Sequence, residues 1–210
     1  MNFILNEKEV RIVGSLIEKE ITTPEYYPLS LNSLTNACNQ KSNREPVVSF
    51  TEMDVQDSID SLRSKRLVRM VEAGSRVAKF KQAFTEELKL NPNETAALTV
   101  LMLRGPQTAG EIRTRAGRLY NFNNLYEVDE TLDNLNKRVD GPFVVKLERQ
   151  PGMKERRYAH LFCGQPLAVE KEKTPDDDDR ISRLEVIVEN LQTEIDNLKE
   201  QFTEFKKQLE

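Results

Sequence analysis

Residues 55–62 read VQDSIDSL, and 73 positions later residues 128–135 read VDETLDNL. An echo of that length constrains the fold more than composition does, because a supersecondary unit written twice implies two similar packing units. The likeness extends in both directions. NEKEVRIVGSLIEK at 6–19 matches NPNETAALTVLMLR at 91–104, and in both an Asn is followed three positions later by a Glu. That spacing suits a helix N-cap with its capping-box partner. Apolar residues then recur at Ile12, Val13, Leu16 and Ile17, and at Ala97, Leu98, Leu101 and Met102, as a core-facing helical stripe. SLNSL at 30–34 and TAGEI at 108–112 each open with a hydroxyl residue able to cap a second, short helix. The echoed octet supplies a third helix, with Val55, Ile59 and Leu62, and Val128, Leu132, Leu135 and Val139, on one face.

After each third helix the pattern turns towards β. LVRMVE and RVAKFK flank AGS, while FVVKLE and RRYAHLF flank RQPGMKE, whose Pro151-Gly152 suits a type II turn. Three helices and a hairpin, in that order, make a winged-helix domain, and the echoed helix takes the place of the recognition helix. The expected fold is mainly α with small β-hairpins (α+β). Two tandem winged-helix domains span 1–84 and 85–164, an acidic linker 165–179, and a coiled-coil helix 180–210. In that last segment Ile181, Val188, Ile195, Phe202 and Leu209 form one heptad series, interleaved by Leu184, Leu191, Leu198 and Phe205. Branched residues at one position and leucine at the other favour a parallel two-stranded coil. Arg180 would then face the partner's Glu185, and the chain would form a homodimer through this helix. A helix folded back on its own domain is the other reading of the same pattern.

Charge is unevenly distributed. Residues 1–84 and residues 85–165 each carry 12 basic and 11 acidic side chains, while residues 166–210 carry 7 basic and 13 acidic ones. Neither half is a basic protein, so polyanion binding would have to rest on local patches. Cys38 and Cys163 lie far apart, neither with a second cysteine nearby, which suits reduced thiols rather than a disulfide framework or a zinc site. MNFILNEKEV lacks the features of a signal peptide, and AALTVLML is too short to span a bilayer; a soluble, cytoplasmic protein is expected.

Three blocks of sequence carry a resemblance to a known family: GSLIEKEITTPEYYPLSLNSLTNACNQKSNREPV at 14–47, LYNFNNLYEV at 119–128 and PGMKERRYAHLFCG at 151–164. Over about residues 14–164 the chain resembles the YceH family of bacterial proteins. The resemblance implies two winged-helix domains and a bacterial cytosolic setting. It implies no reaction, ligand or partner.

Function must therefore be read from the residues. A winged helix that enters the major groove turns the start of its third helix to the bases. Here those starts carry Glu52, Asp54 and Asp57, and Glu127, Asp129 and Glu130. Carboxylates oppose approach to phosphates, whereas acids at a helix start and bases at its end (Arg63, Lys65, Arg66; Lys137, Arg138) complement the helix dipole. Base readout by these helices is not expected. The candidate phosphate contacts lie elsewhere: Lys41 and Arg44 in NQKSNR; Arg76, Lys79 and Lys81 on the first hairpin; Arg113, Arg115 and Arg118 after the second copy's second helix; and Arg149, Lys154, Arg156 and Arg157 on the second hairpin. Each group also reads as a solvated turn or hairpin. Tyr120, Phe122, Leu125 and Tyr126 in LYNFNNLY either stack on bases or fill a core, and Tyr26 or Tyr27 packs beneath the Pro24–Pro28 connection. His160, the sole histidine, falls in an expected strand, and no phosphate-binding glycine motif, metal-ligand spacing or nucleophile elbow occurs. No enzyme, cofactor or metal is expected. The expected partner is duplex DNA, for a dimeric, regulator-like protein; the other reading is a protein-interaction scaffold for a basic partner.

Overall fold

The computed structural model describes residues 3–71, 77–149, 152–153 and 155–164. The chain divides into two units, Met1–Pro166 and Leu167–Glu210, and every described residue belongs to the first. The acidic linker and the heptad positions Ile181, Leu184, Val188, Leu191, Ile195, Leu198, Phe202, Phe205 and Leu209 lie outside the described residues, as do Arg76 and Lys154.

The first unit is mixed α/β, built of helices and small antiparallel sheets, and its elements follow the repeat. In the first copy α1 (Glu7–Thr22) is followed by a 3-10 turn at Pro24–Tyr26, β1 (Leu29–Ser30), α2 (Leu31–Cys38), α3 (Glu52–Ser64), β2 (Val68–Val71), β3 (Lys79–Gln82) and the short α4 (Phe84–Glu87). The second copy comprises α5 (Pro92–Arg104), α6 (Ala109–Arg115), α7 (Leu125–Lys137), β4 (Val144–Lys146) and β5 (Tyr158–His160).

Caps set the helix starts. The Asn6 side chain accepts from the Glu9 N–H at 2.9 Å while the Glu9 carboxylate accepts from the Asn6 N–H at 2.8 Å, closing a capping box. Glu94 accepts from the Asn91 N–H at 2.9 Å at the matching place in α5. Ser30 caps α2 and Thr108 caps α6, as their hydroxyls suggested. One stripe residue departs from expectation. Arg138 leaves helical geometry at the end of α7 (ψ 139°) to bond the Leu88 carbonyl, Glu94 and Asp140, so Val139 projects fully into solvent.

The first sheet has the order β1-β3-β2, with Leu29 opposite Phe80 and Met70 also opposite Phe80. The second sheet pairs β4 with β5, and the place of β1 is taken by one residue, Gln107, whose N–H and C=O bond Tyr158 at 3.0 and 2.7 Å. Each hairpin is thus tied to the residue or two just before its copy's second helix.

One core runs through both copies. Every residue from Glu94 to Leu103 of α5 is buried, as is every residue from Glu9 to Ile17 of α1. Burial all round a helix means neighbours on all sides. The two helices meet closely at Gly14, where an added Cβ would lie 2.9 Å from Leu103 Cδ2. The segment entering α1 bonds the segment that leaves the second hairpin, and the segment entering α5 folds back on α4. The Leu5 N–H, before α1, bonds the Phe162 carbonyl at 2.8 Å, and the Leu90 N–H, before α5, bonds the Thr85 carbonyl of α4 at 3.0 Å. Phe84 and Phe162 meet edge to face at 5.0 Å. Among the described residues no helix is long and apolar enough to cross a membrane.

Candidate nucleic-acid interface

Two of the carboxylates that open the third helices, Asp54 and Glu127, are engaged at the helix starts. At α3, Asp54 accepts from the Thr51 N–H at 2.9 Å and from its hydroxyl at 2.8 Å, while Thr51 Oγ1 accepts from the Asp54 N–H at 3.1 Å. Lys8 on α1 donates to Asp54 at 2.6 Å, and this contact, followed by the Thr51 bonds, holds the Asp54 carboxyl well below the usual range. Glu52 accepts from the Asn32 side chain at 3.0 Å. At α7, Asn124 caps the Glu127 N–H at 2.9 Å, and Glu127 accepts from the Tyr120 hydroxyl at 2.6 Å and from the Asn123 N–H at 2.8 Å. Those bonds, Tyr120 first, lower the Glu127 pKa. Beside the exposed Glu52 and Asp57, and Asp129 and Glu130, each third helix also offers an apolar side chain at its second position. Met53 is 75% exposed and Tyr126 is 76% exposed.

Lys79 and Lys81 point away from the core on β3, alternating with the buried Phe80 and Gln82. Neither side chain makes a hydrogen bond or ion pair among the described residues, and the same holds for the side chains of the exposed Lys41, Arg118, Arg149 and Arg156. Arg156 lines a cleft of about 270 Å³ with Lys146, Asp129 and Tyr158, between the second hairpin and the start of α7. Lys146, absent from the sequence-based set, stands 5.2 Å over the Tyr158 ring. Its outward place in the FVVKLE alternation was the available signal.

Other candidates have structural work. Arg157 donates to the Pro106 carbonyl at 2.8 Å and to Glu111 at 3.0 Å, tying the second hairpin to α6. Arg113 donates to the Asn123 carbonyl at 3.2 Å. Arg115 pairs with Glu111 at 3.5 Å and, with Arg118, turns towards a cavity of about 420 Å³ that also receives Lys19 and Arg104. Arg44 is a correction. Its guanidinium has no exposure; it pairs with Glu18 at 2.6 Å and donates to the Ala37 carbonyl at 3.0 Å. It holds the 39–50 connection to α1 and offers nothing to a phosphate, leaving Lys41 alone in that loop.

The aromatics divide. Phe122 is buried and meets Tyr120 edge-on at 4.9 Å, whereas Tyr126 and Leu125 are exposed. Tyr27 is the tyrosine that packs inward, its hydroxyl accepting from the Gln82 N–H at 2.7 Å, and Tyr26 is exposed. His160 stacks on Phe162 at 5.7 Å, and burial pushes its pKa down to about 4. Cys38 is buried, which pushes its thiol up to about 11, and Cys163 is exposed; both are free.

A doubled helical unit with short antiparallel hairpins and acid-capped third helices defines the class. The family model described as "Protein of unknown function, DUF480" matches residues 5–153, and the chain belongs to that family. It is 47% identical over 207 residues to the UPF0502 protein YceH of Escherichia fergusonii, covering 95% of each chain. It is 48% identical over 208 residues to a UPF0502 protein of Pectobacterium atrosepticum, covering 96% of this chain and 97% of that one. A UPF0502 protein of Geotalea daltonii is 50% identical over 190 residues, 90% of this chain and 85% of its own. The YceH resemblance carried by residues 14–164 is thereby confirmed, and the likeness reaches beyond it.

Proposed function

We propose that residues 1–84 and 85–164 are tandem winged-helix domains, and that the protein is a non-enzymatic, regulator-like DNA-binding protein. In this reading it holds the duplex by its backbone, through the hairpins, and residues 180–210 pair two chains. The observation that carries the reading is a division of charge. Cations without a side-chain partner among the described residues stand on the hairpins (Lys79, Lys81, Arg149, Arg156), while the third-helix starts carry carboxylates, of which Asp54 and Glu127 are engaged at the helix N-termini and Glu52, Asp57, Asp129 and Glu130 are exposed. Such an arrangement supports phosphate contact and argues against base readout. Binding to mixed-sequence duplex across a salt series tests it. Changing Lys79, Lys81 and Arg156 together to Gln should lower affinity and flatten the slope of log K against log salt by about 0.9 for each phosphate no longer neutralised. An unchanged slope, or no binding by the unaltered protein at low salt, rejects the reading.

A second reading, a protein-interaction scaffold, is favoured by one observation: the exposed Met53 and Tyr126 occupy matching positions, each beside carboxylates. An apolar anchor ringed by acids suits a basic protein surface.

A further inference from the structure

The cavity of about 420 Å³ lies where the two copies meet, with Lys19 at the end of α1, Ser42 and Asn43 in the 39–50 connection, Arg104 at the end of α5, Arg115 at the end of α6 and Arg118 after it. Four cations converge on it. Among the described residues one acid, Glu18, lines it, paired at 2.6 Å by the fully buried Arg44 and at 3.5 Å by Lys19, which leaves Arg104, Arg115 and Arg118 as the cations free of it. The acid nearest Arg115 is Glu111 at 3.5 Å, and Arg157 shares it at 3.0 Å. Arg104 is bonded to the Asn43 side chain and has no carboxylate partner among the described residues. Burial first, and the like charge of Arg115 next, make its guanidinium easier to deprotonate than usual. Cations in last turns complement helix dipoles, which accounts for Lys19, Arg104 and Arg115 singly. It does not account for Arg118, which follows α6, nor for Arg104 and Arg115 standing close enough to repel with a single shared-out carboxylate, Glu111, on Arg115. Val100 and Leu103 add an apolar wall to the cavity.

We propose that this cavity binds a small phosphorylated molecule of about nucleotide size, with Arg104, Arg115 and Arg118 on the phosphate and the remainder against Val100 and Leu103. Guanidinium forks match phosphate oxygens in pairs, and the volume falls in the range of about 300–1,000 Å³ typical of small-ligand sites, larger than an inorganic ion needs. Because both copies contribute residues, the ligand stiffens their junction.

The same phosphate chemistry is offered by a nucleic-acid backbone, so the test has separate arms. Full-length protein is titrated calorimetrically with AMP, with inorganic pyrophosphate and with a short duplex, in chloride buffer at fixed ionic strength. AMP and pyrophosphate are expected to bind. Arg118→Gln, at an exposed residue without an ion pair among the described residues, weakens both by about tenfold or more. Arg104→Gln combined with it removes AMP and pyrophosphate binding, and Arg156→Gln on the hairpin leaves the binding of these two small molecules unchanged. Circular dichroism confirms that the Arg118→Gln protein is folded. Absence of AMP and pyrophosphate binding overturns the proposal, as does equal binding by the Arg118→Gln protein. An Arg118→Gln defect confined to the duplex also overturns it and assigns the cavity to nucleic acid.

Discussion

At the scale of single residues, burial decides between function and structure for chemically identical side chains. Arg44 and Arg156 look alike as basic residues among polar neighbours, yet the first is an internal brace and the second has no partner among the described residues. Taking a charge out of water is tolerable only when it is paired and hydrogen-bonded, and Arg44 meets that condition through Glu18, the Ala37 carbonyl and the Asn43 carbonyl. Arg44→Gln should therefore destabilise the fold by about 3 kcal/mol, because Glu18 is left half-buried without its main partner. The effect depends on pH. Burial alone would raise the Glu18 pKa, but the Arg44 bonds and charge outweigh it and bring it below the ordinary value. A depressed carboxyl pKa stabilises the fold fully above the unfolded value of about 4.3, and that contribution is lost as pH falls through the folded value. The stability gap between the parent and Arg44→Gln proteins, measured by urea unfolding, should be widest near neutrality and narrow below about pH 4. A gap that is constant with pH would mean that the pair is not the source. Duplex affinity at neutral pH, corrected for the folded fraction, should not change.

At the scale of elements, the junction of α1 with α5 is set by one glycine. Alanine is ordinarily better than glycine within a helix by about 1 kcal/mol. At Gly14 the added methyl would lie 2.9 Å from Leu103 Cδ2, 3.1 Å from Leu103 Cγ and 3.4 Å from Met102 Cβ, all in a buried seam. Overpacking of this kind costs about 1–3 kcal/mol, more than the helix gains. Gly14→Ala should thus lower the melting temperature in the parent protein yet be neutral or stabilising when Leu103 is already Ala. A double-mutant cycle measures that sign change, and additivity would refute the contact. This crossing was not legible in the sequence, where Gly14 is one residue in an otherwise ordinary helical stripe. The helices themselves were legible, since Asn6 and Glu9, or Thr108 and Glu111, state a cap within four residues. Features that depend on distant partners were not: the burial of Arg44 requires Glu18 on another helix, and Gln107 acts as a strand only because Tyr158 lies opposite. In LYNFNNLY, composition alone did not separate the buried Phe122 from the exposed Tyr126; the start of α7 at Leu125, capped by Asn124, does.

At the scale of the whole first unit, the two sequence-similar halves complete each other. The nine consecutive buried residues of α1, from Glu9 to Ile17, would have an uncovered flank if the second copy were absent, and α5 stands in the same relation to the first. The bond of Leu5 to Phe162, with Phe84 against Phe162, fastens the start of the first copy to the end of the second. Buried residues from both sides of residue 84 thus belong to one core cluster. Small domains have little stability to spare, and losing one wall of a core leaves too little buried area to offset chain entropy. A chain of residues 1–164 should consequently unfold in one transition, with calorimetric and van't Hoff enthalpies equal and with circular dichroism and tyrosine fluorescence coincident. Residues 1–84 alone should give no cooperative melt. Two resolved transitions in the longer chain, or a sharp melt of the shorter one, would show that each copy holds its own core and that the α1–α5 seam is a contact between independent domains.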